Sequence, residues 1–313
     1  MAQPTHNEIQ AVDPVLTQML VSYSQADSRF VAGQVFPSVS VDKQGFTYYI
    51  MTKKYWFLDS VARRAVGGKF ARGGYGVETS TGKAELWGLE HPIADEARAN
   101  NQMPMSLEQS GTKWLSQQSL IRKEVAWAAD FMVGTAWANH DNNSATDWDS
   151  TGNPISDITA GKRTISNATG FDPNTLVVGY IVHEAILNNS NLVDRIKYVQ
   201  MATQQALEAA LAATLGVERY LVGKASYNTA NEGQAMSAAA IIDDDALLCY
   251  VSPTPGVAEP SAGYTFAWQG GGGTGEIVTY RDQTVKSDIL QLSEAWDLKV
   301  VASDLGYFWT DIV

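Results

Sequence analysis

The sequence predicts an α+β chain, and three patterns predict it: one long amphipathic helical stretch, a strand-rich excursion before it, and an alternation of strands and helices after it. The helical stretch runs from Ser106 to Asn139. Apolar residues recur there at sevens, threes and fours (Leu107, Trp114, Ile121, Val125, Ala128, Met132, Ala136), and Leu120, Trp127 and Phe131 widen the stripe. Ser106 followed by Gln109 fits a capping box, Pro104 sits just outside the start, and the polar run from Asn139 to Ser144 stops the pattern. At a rise of about 1.5 Å per residue such a helix spans roughly 50 Å and works as a spine. A coiled coil is the rival, but Lys113, Arg122, Lys123 and Glu124 do not repeat as flanking pairs, and Gly111 and Gly134 weaken a seam.

Composition bounds the rest. A chain of 313 residues exceeds what one core usually organises, so two domains, or one domain with long extensions, is the expectation. Its 45% hydrophobic and 18% charged content is that of a folded protein. No run of eighteen apolar residues occurs, and residues 1–6 lack the basic and apolar regions of a signal peptide, so synthesis and folding in a reducing cytoplasm are expected. Cys249 is the sole cysteine, which excludes an intrachain disulfide; its apolar surroundings from Ala246 to Val251 suit a buried, inert thiol.

The net charge of −12 argues against a protein that grips nucleic acid over its whole surface. Its distribution says more. Between Lys43 and Lys83 stand eight basic residues against two acidic ones, which leaves fourteen basic and thirty-two acidic residues elsewhere. A positive segment on an acidic molecule suits a contact with another acidic copy, although a solvated hairpin would look similar.

Taken in order, residues 1–40 form an arm with too little apolar content for a core, with a short helix expected at Pro14–Ser22. Residues 41–92 form a hairpin: Phe46, Tyr48 and Ile50 alternate, Tyr55, Trp56 and Phe57 follow, five glycines from Gly67 to Gly76 interrupt a basic stretch, and Ala84, Leu86 and Leu89 return. An isolated hairpin this long needs a second surface to rest on. Residues 93–173 hold the spine and a helix opened by Asn153-Pro154 and closed near Gly170, with Ile155, Ile158 and Ile165 on one face. Residues 174–275 alternate strand Thr175–Val178, helix Ile181–Leu187, helix Ala202–Leu215 and strands at Val217–Val222 and Ala246–Val251, then a surface loop over residues 252–275 marked by Pro253, Pro255, Pro260 and Gly270–Gly273. Residues 276–313 return as strands at Ile277–Tyr280, Val285–Leu292, Leu298–Val301 and Leu305–Trp309.

Catalytic signatures are missing. Gly161-Lys162 is not a phosphate loop, because Ser156 stands where the first glycine belongs and Arg163 where a Ser or Thr belongs. His183-Glu184 lacks the second histidine of a zinc protease helix. Asp243, Asp244 and Asp245 cannot all face one ion from a strand, so a solvated turn is favoured. No Gly-x-Ser-x-Gly elbow, Cys-x-x-Cys pair or dinucleotide fingerprint occurs, so no catalytic residue, cofactor or metal is assigned. Trp114, Trp127 and Trp137 on the spine read as core or interface packing rather than sugar platforms.

The order of parts, with the stretch Asn174–Tyr198 (NTLVVGYIVHEAILNNSNLVDRIKY), resembles the major capsid proteins of tailed bacteriophages, the Hong Kong 97-type fold, whose parts are the N-arm, E-loop, P domain and A domain. In that stretch a Leu-Val strand leads to a helix ending in Asn and then to a Leu-x-Asp-Arg-Ile turn. The resemblance implies a non-enzymatic shell subunit that forms hexamers and pentamers around double-stranded DNA, each E-loop lying over an adjacent subunit. It places Lys53, Lys54, Arg63, Arg64, Lys69 and Arg72 of the E-loop at subunit contacts. It also offers Lys54 and Lys69 as donors for the covalent link to a neighbouring Asn that some members make, without identifying the Asn. The implied partners are other copies of the chain, a separate scaffolding protein, a portal protein and a decoration protein, with no membrane and no sequence-specific DNA contact; the implied place is the virion capsid, assembled in the host cytoplasm. An encapsulin-like compartment and a soluble α/β enzyme with a hairpin lid remain as alternatives.

Overall fold

The computed structural model describes residues 24–51, 53–101, 106–141, 148–149, 152–192, 204–254 and 259–313. The helix expected at Pro14–Ser22 lies outside the described residues. In chain order the strands are β1 Ser38–Val41, β2 Gly45–Met51, β3 Val77–Lys83, β4 Glu85–Ala94, β5 Asn139–Asp141, β6 Thr175–Gly179, β7 Arg219–Gly223, β8 Ser226–Asn228, β9 Ala238–Ala240, β10 Ala246–Cys249, β11 Gly263–Trp268, β12 Glu276–Asp282, β13 Ser287–Val300 and β14 Gly306–Trp309. The main helices are α1 Leu107–Phe131, α2 Pro154–Thr169, α3 Tyr180–Asn188 and α4 Gln204–Leu215.

The spine starts where the sequence places it, with Ser106 Oγ accepting from the Gln109 N–H at 3.1 Å. It ends earlier. Met132 leaves helical geometry, and the Trp137 indole N–H folds back to donate to the Phe131 carbonyl at 2.7 Å, which satisfies an orphan helix-end acceptor. Residues 134–136 form a separate helical turn that leads into β5. The 25-residue helix is therefore about 37 Å long rather than 50. Its buried stripe is also rotated from the expected one: Gly111, Leu115, Glu124, Trp127 and Phe131 face inward, while Trp114 stays 44% exposed beside the His91 ring. Gly111 permits this approach, because a Cβ there would lie 2.7 Å from the His91 ring and 2.8 Å from Leu290.

Two five-stranded sheets contribute to the main core, and a second, smaller cluster of Ile93, Leu115, Leu290 and Leu292 lies between the spine and the first sheet. In the first, β13 is central, with β12 and β11 in succession along one edge and β4 along the other, and β1 adds parallel to β11. The second has the order β5-β14-β10-β6-β7. Its β6 is buried at every position, as is β10, which carries Cys249. Trp127 and Phe131 of the spine join Trp148, Ile158, Leu176, Phe308 and Trp309 in the core between them. Strands expected at Val285–Leu292 and Leu298–Val301 are one strand, β13, because β12 pairs its first half and β11 its second.

The surface loop expected over residues 252–275 contains a strand instead. β11 lies between β1 and β13 and is buried from Gly263 to Ala267, so its backbone groups are satisfied in the ladder and not by water. Lys162, set aside as a phosphate-loop residue, caps α4: its ammonium donates to the Leu215 carbonyl at 2.6 Å and also to that of Gly216.

Candidate assembly surface

The hairpin is set by register. β2 and β3 pair antiparallel from Gly45↔Lys83 to Met51↔Val77, and β3 passes through Ala84 into β4, so its base is continuous with the first sheet. Phe46 stacks against Phe266 of β11 at 4.3 Å and Tyr48 against the same ring at 5.6 Å, which fixes the direction in which the hairpin leaves the body. Residues 53–76 then cross from β2 to β3. Tyr55 and Trp56, read from sequence as strand continuation, belong with Lys53 to a helical turn, Lys53–Trp56, and Phe57 follows it.

Six cations against one carboxylate, Asp59, occupy these residues. Their surroundings differ. Lys53 forms an ion pair with Asp304 of the same chain. Lys54 lies 5.9 Å from the Tyr55 ring centroid. Arg64 stacks over Phe70 at 4.1 Å and donates to the Gly68 carbonyl at 2.8 Å, which closes the tip. Arg63, Lys69 and Arg72 are exposed and form no ion pair among the described residues. Structure thus brings Arg64 and Lys53 into defined contacts and leaves three cations directed at solvent.

Aromatic and aliphatic side chains dominate the same surface, and the sequence reading did not assign them a role. Trp56 is 59% exposed, Phe57 63% and Phe70 77%, with Tyr55, Leu58, Val61, Val66 and Tyr75 also exposed. Trp56 and Tyr75 pair at 5.9 Å, so the two legs of the loop are tied to each other rather than to a core. A contiguous run of exposed large apolar residues marks an interaction surface, since soluble monomers seldom leave one uncovered. The available signal was compositional: aromatics interleaved with glycines and cations and lacking either a 2.0 or a 3.6 period.

The described end of the arm is strapped to the body. The side-chain amide of Gln25 clasps the backbone of Ser226, donating to its carbonyl at 2.6 Å and accepting from its N–H at 3.1 Å, and Arg29 donates to the Lys224 carbonyl at 2.9 and 2.6 Å. Buried Glu124 of α1 accepts from the N–H groups of Val31 and Ala32. The arm is therefore held by the spine and by the segment that follows β7, through Lys224 and through Ser226 of the small β8-β9 sheet.

Among the described residues the interior offers no reactive constellation. Burial pushes the Cys249 thiol up to about 12, where it is neither nucleophile nor ligand. His183, pushed down by burial, shares its Nδ1 with the Tyr220 hydroxyl at 2.9 Å. Asp245 accepts from the Asp311 N–H at 3.3 Å in the turn before β10. Among the described residues no three His, Cys, Asp or Glu side chains converge as a metal site, and no helix is long and apolar enough to cross a membrane.

No protein-family profile matches the chain. It is 26% identical, over 321 aligned residues and 98% of both chains, to the major capsid protein of Burkholderia phage BcepMu. A phage-related protein of Bordetella bronchiseptica RB50 superposes with a TM-score of 0.69 at 22% identity, over 93% of this chain and 94% of that one. A structure from Microbacterium phage Oxtober96 superposes with a TM-score of 0.60 at 12% identity, over 99% of both. The capsid structure of cyanophage P-SCSP1u superposes with a TM-score of 0.59 at 10% identity, over 93% of this chain and 90% of that one, and the fold is of the Hong Kong 97 type.

Proposed function

We propose that this chain is the major capsid protein of a tailed phage, a structural subunit and not an enzyme. The observation that carries the reading is its end-to-end similarity to a phage major capsid protein. The exposed basic and aromatic loop supports it, because such a loop needs a second surface and an acidic copy of the same chain supplies one. In this reading residues 1–40 are the N-arm, 41–92 the E-loop, 93–173 the P domain with its spine, 174–275 the A domain and 276–313 the return, except that β11 joins β1, β4, β12 and β13 in the first sheet. The E-loop residues Lys53, Lys54, Arg63, Arg64, Lys69 and Arg72 serve subunit contacts.

No active site is required for this work. Copies associate into hexamers and pentamers, and the closed shell multiplies interfaces that are individually modest. An acidic subunit confines double-stranded DNA by its wall and has little reason to bind phosphates tightly. A separate scaffolding protein, a portal protein and a decoration protein complete the expected partners in the virion, with assembly in the host cytoplasm.

Electron microscopy of the purified protein, alone and after co-expression with its neighbouring genes, tests the reading. Shells, tubes or five- and six-membered rings support it; compact monomers under both conditions would sink it and favour the enzyme with a hairpin lid. Shells filled with a protein instead of DNA would point to an encapsulin-like compartment.

A further inference from the structure

The helical turn Lys53–Trp56 places Lys53 and Phe57 one turn apart on a common face, with the Phe57 N–H donating to the Lys53 carbonyl at 3.0 Å. That face meets a shelf on the same chain. Lys53 pairs with Asp304 in the turn Ser303–Leu305, which packs on α2. Phe57 lies against Gly170, the left-handed residue that ends α2; with φ at 74° this position favours glycine, and a Cβ there would sit 3.6 Å from the Phe57 ring. Phe171 and Tyr250, paired at 5.1 Å, continue the shelf. Charge and shape match: an acidic group and a flat glycine floor receive a cation and a ring.

The fit is nevertheless incomplete within one chain. The Lys53 side chain stays 50% exposed and Phe57 63% exposed, and the loop's other aromatics gain no cover from the shelf. A contact this open is easily released. Because every copy carries the same loop and the same shelf, each contact made within one chain is available between two, and assembly raises the local concentration of the second shelf.

We propose that the shelf formed by Asp304 and Gly170 is the receptor for the loop of a second copy, and that the free subunit fills it with its own loop. The proposal rests on the shell-subunit reading above. In the shell the Lys53–Asp304 pair then joins two chains, and the exchanged loops bring their exposed aromatic faces onto a neighbour.

A zero-length carbodiimide cross-link tests this on the unaltered protein, since it converts an ion-paired lysine and aspartate into an amide with loss of the urea. Light and ¹⁵N-labelled subunits are mixed, assembled and treated, and the Lys53–Asp304 cross-linked peptides are analysed by mass. In free subunits both halves should carry the same label; in shells about half of the linked peptides should pair light with heavy, as random exchange requires. Shells whose linked peptides all carry one label, or that yield no such peptide, overturn the receptor while leaving the capsid reading intact. Failure of the unaltered protein to form any shell overturns both. Asp304→Lys should lower shell yield, and adding Lys53→Asp should restore it; a monomer melting point unchanged by either variant separates this from misfolding, and absence of rescue counts against the proposal.

Discussion

The backbone N–H of Ala32 donates to the Glu124 carboxylate across 2.7 Å, although 92 residues separate the two in sequence. Val31 donates to the same group at 3.0 and 3.1 Å, so a buried side chain of the spine satisfies the start of the short helical turn Ala32–Val35. Removing it by Glu124→Ala strands those N–H groups in the core, at a cost of about 1–3 kcal/mol. Lower urea midpoints and faster proteolysis near residues 24–36 are the expected readouts; an unchanged midpoint would show that the strap contributes nothing.

The same carboxyl makes stability depend on pH. Burial raises it from its ordinary 4.5 to about 7, against the backbone N–H donors and the neighbouring Lys123, which favour the charged form. The folded chain therefore holds this proton more tightly than the unfolded chain. Its contribution is fully present below about 4.5 and is lost as pH rises through about 7, a change of roughly 3 kcal/mol. Unfolding free energies measured across that window should show the loss in the native protein and a flatter profile in Glu124→Gln. Equal slopes would remove Glu124 as the source.

At the junction of β6 and α3, a Cβ added to Gly179 would lie 1.6 Å from the Asp243 carbonyl oxygen, and that carbonyl belongs to backbone that cannot rotate away. Gly179→Ala should cost about 3 kcal/mol or more, because the turn before β10 must shift to admit a methyl group. Thermal melting of the soluble variant checks this, and a loss below about 1 kcal/mol would mean that the two segments separate freely.

How much of this was legible in the sequence depended on whether the signal was local. The spine's start, the α2 cap and the buried β6 follow from residues within one or two turns of each other, and all were readable. The spine's end was not, because Ala136 keeps the apolar spacing while the Trp137 indole, reaching back to Phe131, decides the geometry. β11 was hidden between Pro260 and Gly270, and only its place between β1 and β13 makes it a strand. In the loop, charge was visible but exposure was not: Trp56 and Phe70 have the same letters as core aromatics. Asp304, 251 residues from Lys53, left no local trace at all.

Lys162 offers a test of the reassigned Gly161-Lys162 pair. Its ammonium serves the last carbonyls of α4, where the helix dipole also favours a cation, although partial burial lowers its basicity. Lys162→Met keeps the stem and removes the charge, so it should destabilise the chain by about 1–2 kcal/mol. Nucleotide binding, measured by calorimetry, should be undetectable in both native and variant protein; binding lost in the variant would revive the phosphate-loop reading.

Trp56 and Phe70 separate folding from assembly. Both are mostly exposed, and their partners, Tyr75 and Arg64, lie within the loop itself. Replacing them by serine therefore removes little from the core, and the monomer's unfolding free energy should move by no more than about 0.5 kcal/mol. An interface that covers them would lose two large aromatic anchors, each worth about 2 kcal/mol when fully desolvated. Because a closed shell repeats the contact at every subunit, even part of that loss should shift the concentration needed for assembly by tenfold or more, as about 1.4 kcal/mol per subunit suffices for a factor of ten. Sedimentation velocity on a dilution series reads the assembly threshold, and circular dichroism reads the fold. A native threshold in the double variant would place the loop's apolar face outside the contacts that build the shell.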